Sequence, residues 1–347
     1  TGAAAIYGNA VKNGAQIAVD EINALGGTQL ELKFEDDESD AEKSVNAYNS
    51  LKDWGMQVVL GSVTTQPCIA VSSESNSDRI FEITPSASSL DVVNGKDNVF
   101  QVCFTDPNQG VNAAKFLAQK YADEKFVLFY NSGDAYSSGI ADAFKAQAAE
   151  SKLEIVDEET FKDDSSTSFT NQLTKAKQAG ATMIFAPIYY TPASVLLKNA
   201  KDMGYDVKMM GCDGMDGILG VEGFDTSLAE GLLLMTPFSA DDEKNADFVN
   251  AYKDKYGETP DQFAADAYDV PHRGKDDELQ HDASSEVFKY FVCSICPVKA
   301  PTLELRYDLD QSEFHSSSTG YIASPPELGF LYPAFDGRSA NIYNVLF

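Results

Sequence analysis

Over its first 270 residues the chain alternates short apolar runs with amphipathic stretches of 10 to 16 residues, and this rhythm restricts the fold more than any other feature. Val11, Ala15, Ala18, Ile22 and Leu25 recur at spacings of four and three, which places them on one helical face, and Gly26-Gly27 supplies a stop. Leu30, Leu32 and Phe34 then alternate as a strand. The acidic run EDDESD leads into a helix through Ala41, Val45, Tyr48 and Leu51, and Gln57 to Leu60 reads as a buried strand. Further strands are expected at Ile80 to Ile83, Phe126 to Tyr130, Met183 to Ala186, Val207 to Met210 and Leu232 to Met235. Helices are expected over Val111 to Tyr121, Ser138 to Ser151, Phe169 to Ala179 and Ala193 to Met203. Strands separated by helices of this length pair in parallel only through crossovers, so the economical architecture is α/β with doubly wound parallel sheets. The units are too many for one sheet and imply two lobes. QVCFTDPNQG, extended and then broken by Pro107 and Gly110, is the expected crossing between them.

Ligands of open parallel sheets sit beyond the carboxyl ends of the strands, where the N–H groups of the following helices point outward. In the first lobe those loops carry hydroxyls: SVTTQP, in which Thr64 and Thr65 precede Pro67, and TPSASS. Two such loops side by side offer several hydroxyls and N–H groups to one anion, although Ser and Thr at these places also serve simply as helix caps. With no Lys or Arg in either loop, a small carboxylate suits them better than a polyphosphate. In the second lobe the loops carry phenols and acids: Tyr136 in NSGDAYSSG, Tyr189 and Tyr190 in APIYYTP, and Asp213 and Asp216 in GCDGMDG. An acid facing hydroxyls with rings between them answers the needs of a zwitterion. Asp-Gly is equally a common turn dipeptide.

The formal charge of −28 argues against nucleic acid or an anionic membrane surface as a partner. Enzymatic chemistry finds little support: the first 270 residues hold no His to act as a base, no GxGxxG after a strand and no GxxxxGK[ST], which leaves only Asp213 and Asp216 as a carboxylate pair.

The runs TGAAAIYGNAVKNGAQIAVDEINALGG, GSVTTQPCIAV, TPSASS, FQVCFTDPNQGVNAAKF, GCDG and TPDQFAADAYD resemble the branched-chain amino-acid (Leu/Ile/Val) solute-binding proteins of ABC transporters, over residues 1–269. The resemblance implies a two-lobed type I periplasmic-binding-protein fold, with lobe 1 at 1–107 and 239–270 and lobe 2 at 108–238. It also implies an extracytoplasmic protein, acting as a monomer without cofactor or metal, that hands an amino acid to a membrane permease and its ATPase subunits. Carried over by position, Thr64, Thr65, Ser86, Ala87 and Ser88 surround the ligand's carboxylate. Asp213, with the carbonyl at Ser86, takes its ammonium, and Tyr7, Tyr136 and Tyr189 wall the pocket. The family's usual acid at the Asp213 position is Glu, one methylene longer. A ligand-sensing ectodomain of the same fold is the alternative function, with an α/β enzyme behind it.

The sequence departs from that family at both ends. Members begin with an apolar strand before the TG of Thr1, and after DAYD they return through a third crossing; a chain reading as this one does is expected to bind its amino acid weakly. All three His and three of the four Arg lie after residue 270, where the chain also becomes richer in Pro. Residues 271–347 resemble an uncharacterised bacterial domain family and are expected to form an unrelated α+β fragment. The favoured reading is a join of two unrelated reading frames near Tyr268 to Val270, and the other is a genuine two-part protein. Cys68 and Cys103, near strand ends of the first lobe, are candidates for a disulfide in an exported protein. Cys293 and Cys296 form a C-x-x-C pair with only His281 and His315 nearby, which favours small buried core residues over a zinc site.

Overall fold

The computed structural model describes residues 2–26 and 29–272, together with the backbone of two strands at 331–334 and 342–345. The first helix, α1 (Ala5–Ala24), buries Val11, Ala15 and Ala18 of the expected stripe, with Tyr7 one turn before them, whereas Ile22 is half-buried and Leu25, past the helix end, is exposed. Helix α2 (Ala41–Trp54) begins where the acidic run ends: the Asp40 carboxylate accepts the N–H groups of Glu42 and Lys43, and Gly55 closes the helix at a left-handed φ of 97°. Strand β1 (Val58–Leu60), helix α3 (Thr65–Asp78), β2 (Phe81–Thr84) and β3 (Val99–Gln101) complete the first sheet, in which β2 lies between β1 and β3 and both pairings are parallel.

Helix α4 (Asp106–Lys120) opens the second unit. It continues through β4 (Lys125–Asn131), α5 (Ala135–Ser151), β5 (Glu154–Phe161), α6 (Thr170–Gln178), β6 (Met183–Ala186), α7 (Tyr190–Asp202), β7 (Lys208–Gly211) and β8 (Leu233–Met235). Strands β5-β4-β6-β7-β8 are parallel in that order. Helices α8 (Ala246–Tyr256) and α9 (Gln262–His272) then return to α1. Beyond them β9 (Leu331–Ala334) and β10 (Ile342–Val345) extend the larger sheet, β10 lying parallel to β8 and antiparallel to β9. The α/β expectation therefore holds, and the exposed edge that β8 would otherwise present is paired.

Two apolar layers flank the larger sheet. On one face Phe126, Leu128, Met183 and Phe185 pack against Phe116, Leu117, Ile140 and Phe144 of α4 and α5. On the other, Val127, Phe129, Ile184 and Leu234 belong to a core that runs on through Tyr7, Val11, Phe263 and Ala264, so α1 and α9 are continuous with it. Helix α1 meets α9 at Gly14, where a Cβ would stand 2.0 Å from the carbonyl oxygen of Ala264; only glycine allows the two backbones that close.

Three expectations differ from the structure. Leu30, Leu32 and Phe34 form no ladder, and among the described residues β1 pairs only with β2, so this extended segment has no strand beside it. Strands β3 and β5 escaped notice. In EIVDEETF the inward positions include acids, and Glu159 is buried with Lys175 at 3.1 Å, so polarity does not alternate although the backbone does. The Cys68–Cys103 disulfide is corrected: both are free thiols in the interior. Cys68 points from the first turn of α3 onto β2, its Sγ 3.4 Å from Glu82 Oε1 and 3.8 Å from the carbonyl of Gly61, which turns it toward the sheet. Cys293, Cys296, His281 and His315 lie outside the described residues.

Candidate functional site

A narrow cavity of about 10 Å3, room for about one water molecule, lies where the strand-end loops of the two sheets meet, walled by Tyr7, Val63, Thr64, Thr65, Ser86, Tyr136, Tyr189, Asp213, Gly214 and Phe263. The hydroxyl loops come from the smaller sheet. Thr64 stands at the N-cap of α3 in an extended conformation, yet its side chain makes no capping bond. Its Oγ1 is buried without a hydrogen-bond partner, a state that costs about 1–3 kcal/mol unless something polar arrives. Thr65 occupies the first position of the helix, so the cavity faces a set of N–H groups and the positive end of the α3 dipole. Ser86 reaches the cavity after β2, its hydroxyl donating to the carbonyl of Val63 at 2.6 Å; Thr84 Oγ1 accepts the N–H of Ala87 at 3.0 Å and donates to the carbonyl of Ser62 at 2.8 Å. These bonds tie the two loops of the first sheet into one rigid wall.

Across the cavity, Asp213 begins a short 3-10 turn after β7. Tyr136, from the first turn of α5, donates its Oη to Asp213 Oδ1 at 2.7 Å and accepts the N–H of Gly214 at 2.9 Å; that N–H also reaches Oδ1 at 2.8 Å. Gly214 has to be glycine, because a Cβ there would stand 2.6 Å from the Tyr136 hydroxyl. Burial pushes the Asp213 carboxyl up to about 6, while the bonds from Tyr136, Gln109 and the Gly214 N–H pull against that rise. Burial also lifts the phenols of Tyr7, Tyr136 and Tyr189 well above their ordinary range, so they remain neutral donors.

The aromatic residues form two stacks. Tyr136 lies on Tyr189 with centroids 4.8 Å apart and planes 11° from parallel, and Tyr7 lies on Phe263 at 4.1 Å and 29°. The Tyr7 hydroxyl donates to the carbonyl of Gly214 and accepts the N–H of Tyr190 at 3.4 Å. Tyr190 turns the other way: it packs edge-on against Tyr7 and accepts the N–H of Ile6, so Tyr189 is the one that faces the cavity. One side of the cavity thus offers hydroxyls and a helix N-terminus, the other a carboxylate, with phenyl and phenol rings between. The chemistry of this lining suits a small molecule bearing both signs of charge.

Residues 1–270 match a family described as periplasmic binding protein. The chain belongs to the periplasmic binding protein family. Residues 233–347 also match a domain of unknown function (DUF4317), so the change in composition near residue 270 falls inside the overlap of two families. A Leu/Ile/Val-binding protein homolog 3 of Brucella melitensis is 32% identical over 219 residues, a match that takes in 62% of this chain and spans only 59% of that relative's length. The leucine-, isoleucine-, valine-, threonine- and alanine-binding protein of Pseudomonas aeruginosa is 28% identical, with coverage of 77% and 72%. Among solved structures, the branched-chain amino-acid transporter substrate-binding protein LivJ of Streptococcus pneumoniae in complex with isoleucine is similar at 31% identity and a TM-score of 0.74, over 83% of this chain and 84% of that one. The fold is that of the type I periplasmic binding proteins.

In this periplasmic binding protein, Tyr7, Thr64, Thr65, Ser86, Tyr136, Tyr189 and Asp213 share one cavity wall, and two of the expected residues stand behind it. Ala87 is packed with Cys68, Val92 and Val99. Ser88 is fully buried beside the start of α4, where its carbonyl accepts the N–H of Asp106 at 3.0 Å. Val63, Gly214 and Phe263 were not anticipated. The signal for Phe263 was present in TPDQF, where Asp261 caps α9 by accepting the N–H of Ala264 at 2.9 Å and leaves Phe263 in the first turn.

Proposed function

We propose that this chain captures a branched-chain or similar neutral amino acid between two lobes, 1–107 with 239–270 and 108–238, as the extracytoplasmic solute-binding component of an ABC importer. The single observation that carries the reading is the shared cavity wall, in which the orphaned Thr64 hydroxyl and the α3 N-terminus face Asp213 and its phenols. The carboxylate of the ligand satisfies the first set, its ammonium meets Asp213, and the rings and Val63 take its side chain. The role is capture rather than turnover, and the loaded, closed protein, acting as a monomer, is what a membrane permease with its ATPase subunits would receive. Ligand favours closure only through contacts that the open form lacks. No helix among the described residues is long and apolar enough to cross a membrane.

Calorimetry with L-leucine, L-isoleucine and L-valine tests this reading. Binding of at least one is expected, and Asp213→Asn should weaken it about 10- to 100-fold, the worth of a charge-assisted hydrogen bond. Because the carboxylate form holds the ammonium and the carboxyl titrates at about 6, affinity should be full above that pH and fall as the pH drops through it. A protein that ignores all three amino acids, or an Asn variant that binds like the parent, would refute the assignment.

A further inference from the structure

The turn that carries Asp213 has no ladder to hold it, yet the peptide groups of this residue are gripped from two directions. Gln109 Oε1 accepts the Asp213 N–H at 3.3 Å, and Gln262 Nε2 donates to the Asp213 carbonyl at 3.1 Å. Gln109 belongs to the first turns of α4 and Gln262 to the first turn of α9, and both are buried. Neither appears in the cavity wall. Gln109 uses only its oxygen here, its Nε2 being buried without a partner, which is costly for a residue that merely fills space; with Gln262 it meets the two peptide groups that flank Asp213.

We propose that Gln109 and Gln262 are positioning residues for ligand capture: together they fix the peptide of Asp213 so that its carboxylate is aimed at the ligand's ammonium. This rests on the amino-acid-binding reading above. The two reach the turn from different elements. Gln109 lies on α4, which opens the same sheet unit as Asp213, whereas Gln262 sits on α9, which packs along α1. Tyr7 of α1 adds a third bond to the turn, donating to the carbonyl of Gly214. With Tyr136 and the Gly214 N–H both on Oδ1, rotation of the carboxylate is restrained from the side chain as well. The other titratable groups felt at this turn include Asp216 on the turn itself, Asp261 just before α9, Asp106 of α4, Tyr136 of α5, Tyr7 of α1, and the buried thiols of Cys212 and Cys103.

The test uses Gln109→Met and Gln262→Met, which keep the volume and remove the bonds, in the full chain with Asp213 intact or with Asp213→Asn. L-leucine is the probe, read by calorimetry. Each Met variant should weaken leucine about tenfold when Asp213 is intact, the upper range for one lost hydrogen bond, and should cost nothing further in the D213N background, where no carboxylate remains to be aimed. An equal loss in both backgrounds, or no loss, overturns the proposal. Should the parent chain bind none of L-leucine, L-isoleucine and L-valine, the binding reading fails on its own, and a ligand-free measurement decides this one; where it binds another of the three, that amino acid replaces leucine as the probe. The Asp213 amide, followed by NMR, should exchange its hydrogen faster in Gln109→Met, which lacks the acceptor for it, and unchanged protection refutes the positioning role.

Discussion

Glu82 shows how much one residue can cost this protein. It sits fully buried in β2, the central strand of the smaller sheet, with Ser75 Oγ donating to one oxygen and the Cys68 thiol 3.4 Å from the other. Burial raises its carboxyl from an ordinary 4.5 to about 7, more than these donors and the distant Lys96 can offset. The folded chain therefore keeps a proton that the unfolded chain releases between those values. Stability falls as the pH rises through that window, and the full penalty, up to about 3 kcal/mol, stands above it. Glu82→Gln should raise the melting temperature at pH values above about 7 and leave it nearly unchanged below about 4.5, where both states of the parent are protonated. A thermal melt series across pH checks this, and a variant that destabilises equally at every pH would show that the carboxyl is needed for its shape rather than tolerated. Neither the Glu82 environment nor the choice of Tyr189 over Tyr190 for the cavity can be derived from local pattern alone. Both depend on which neighbours the folded chain brings in.

At the scale of elements, the site is set by how α1 and α9 meet. Helix α1 carries Tyr7 and α9 carries Gln262 and Phe263, so the cavity wall and the grip on Asp213 both depend on that contact. Thr191 Oγ1 donates to the carbonyl of Ala3 at 3.0 Å, which adds the start of α7 to the same junction. Gly14→Ala would drive a Cβ against the backbone of Ala264, and forced separation of a packed pair costs about 1–3 kcal/mol. Urea unfolding should register that loss, and leucine affinity should fall with it, because the rings of Tyr7 and Phe263 move together with their helices. Unchanged stability would mean that α1 and α9 slide past each other freely. The helices themselves were readable beforehand, since their apolar stripes, the Asp40 cap and the Gly55 stop are local. Strand β5 was not, because an edge strand with acids at inward positions looks polar on both faces.

For the whole molecule, the charge of −28 is borne by a chain with only 26 basic residues against 54 acids. Described ion pairs such as Lys52–Asp78, Lys145–Glu158 and Lys198–Asp202 lie near the surface, where each contributes little. Self-repulsion among the remaining carboxylates works against the compact state and is screened by salt. Raising NaCl from about 0.01 M to about 0.15 M, which shortens the Debye length from about 30 Å to about 8 Å, should therefore raise the melting temperature. A fall would show that the ion pairs outweigh the repulsion.

The sequence alone determined the α/β alternation, the parallel crossovers, and the two kinds of strand-end loop, hydroxyl-bearing and acidic with phenols. Each of these follows from interactions within a few residues: helical stripes, caps, and turns after apolar strands. Only the tertiary structure decided that Ser88 stands behind the cavity while Ser86 faces it, that Phe263 closes it, that Cys68 looks toward Glu82, and that Gln109 and Gln262 hold Asp213. These outcomes hang on the meeting of chain segments that are 14 residues apart for Cys68 and Glu82 and 49 and 104 for the two glutamines and Asp213, and no local periodicity records which side chains will be neighbours across such distances.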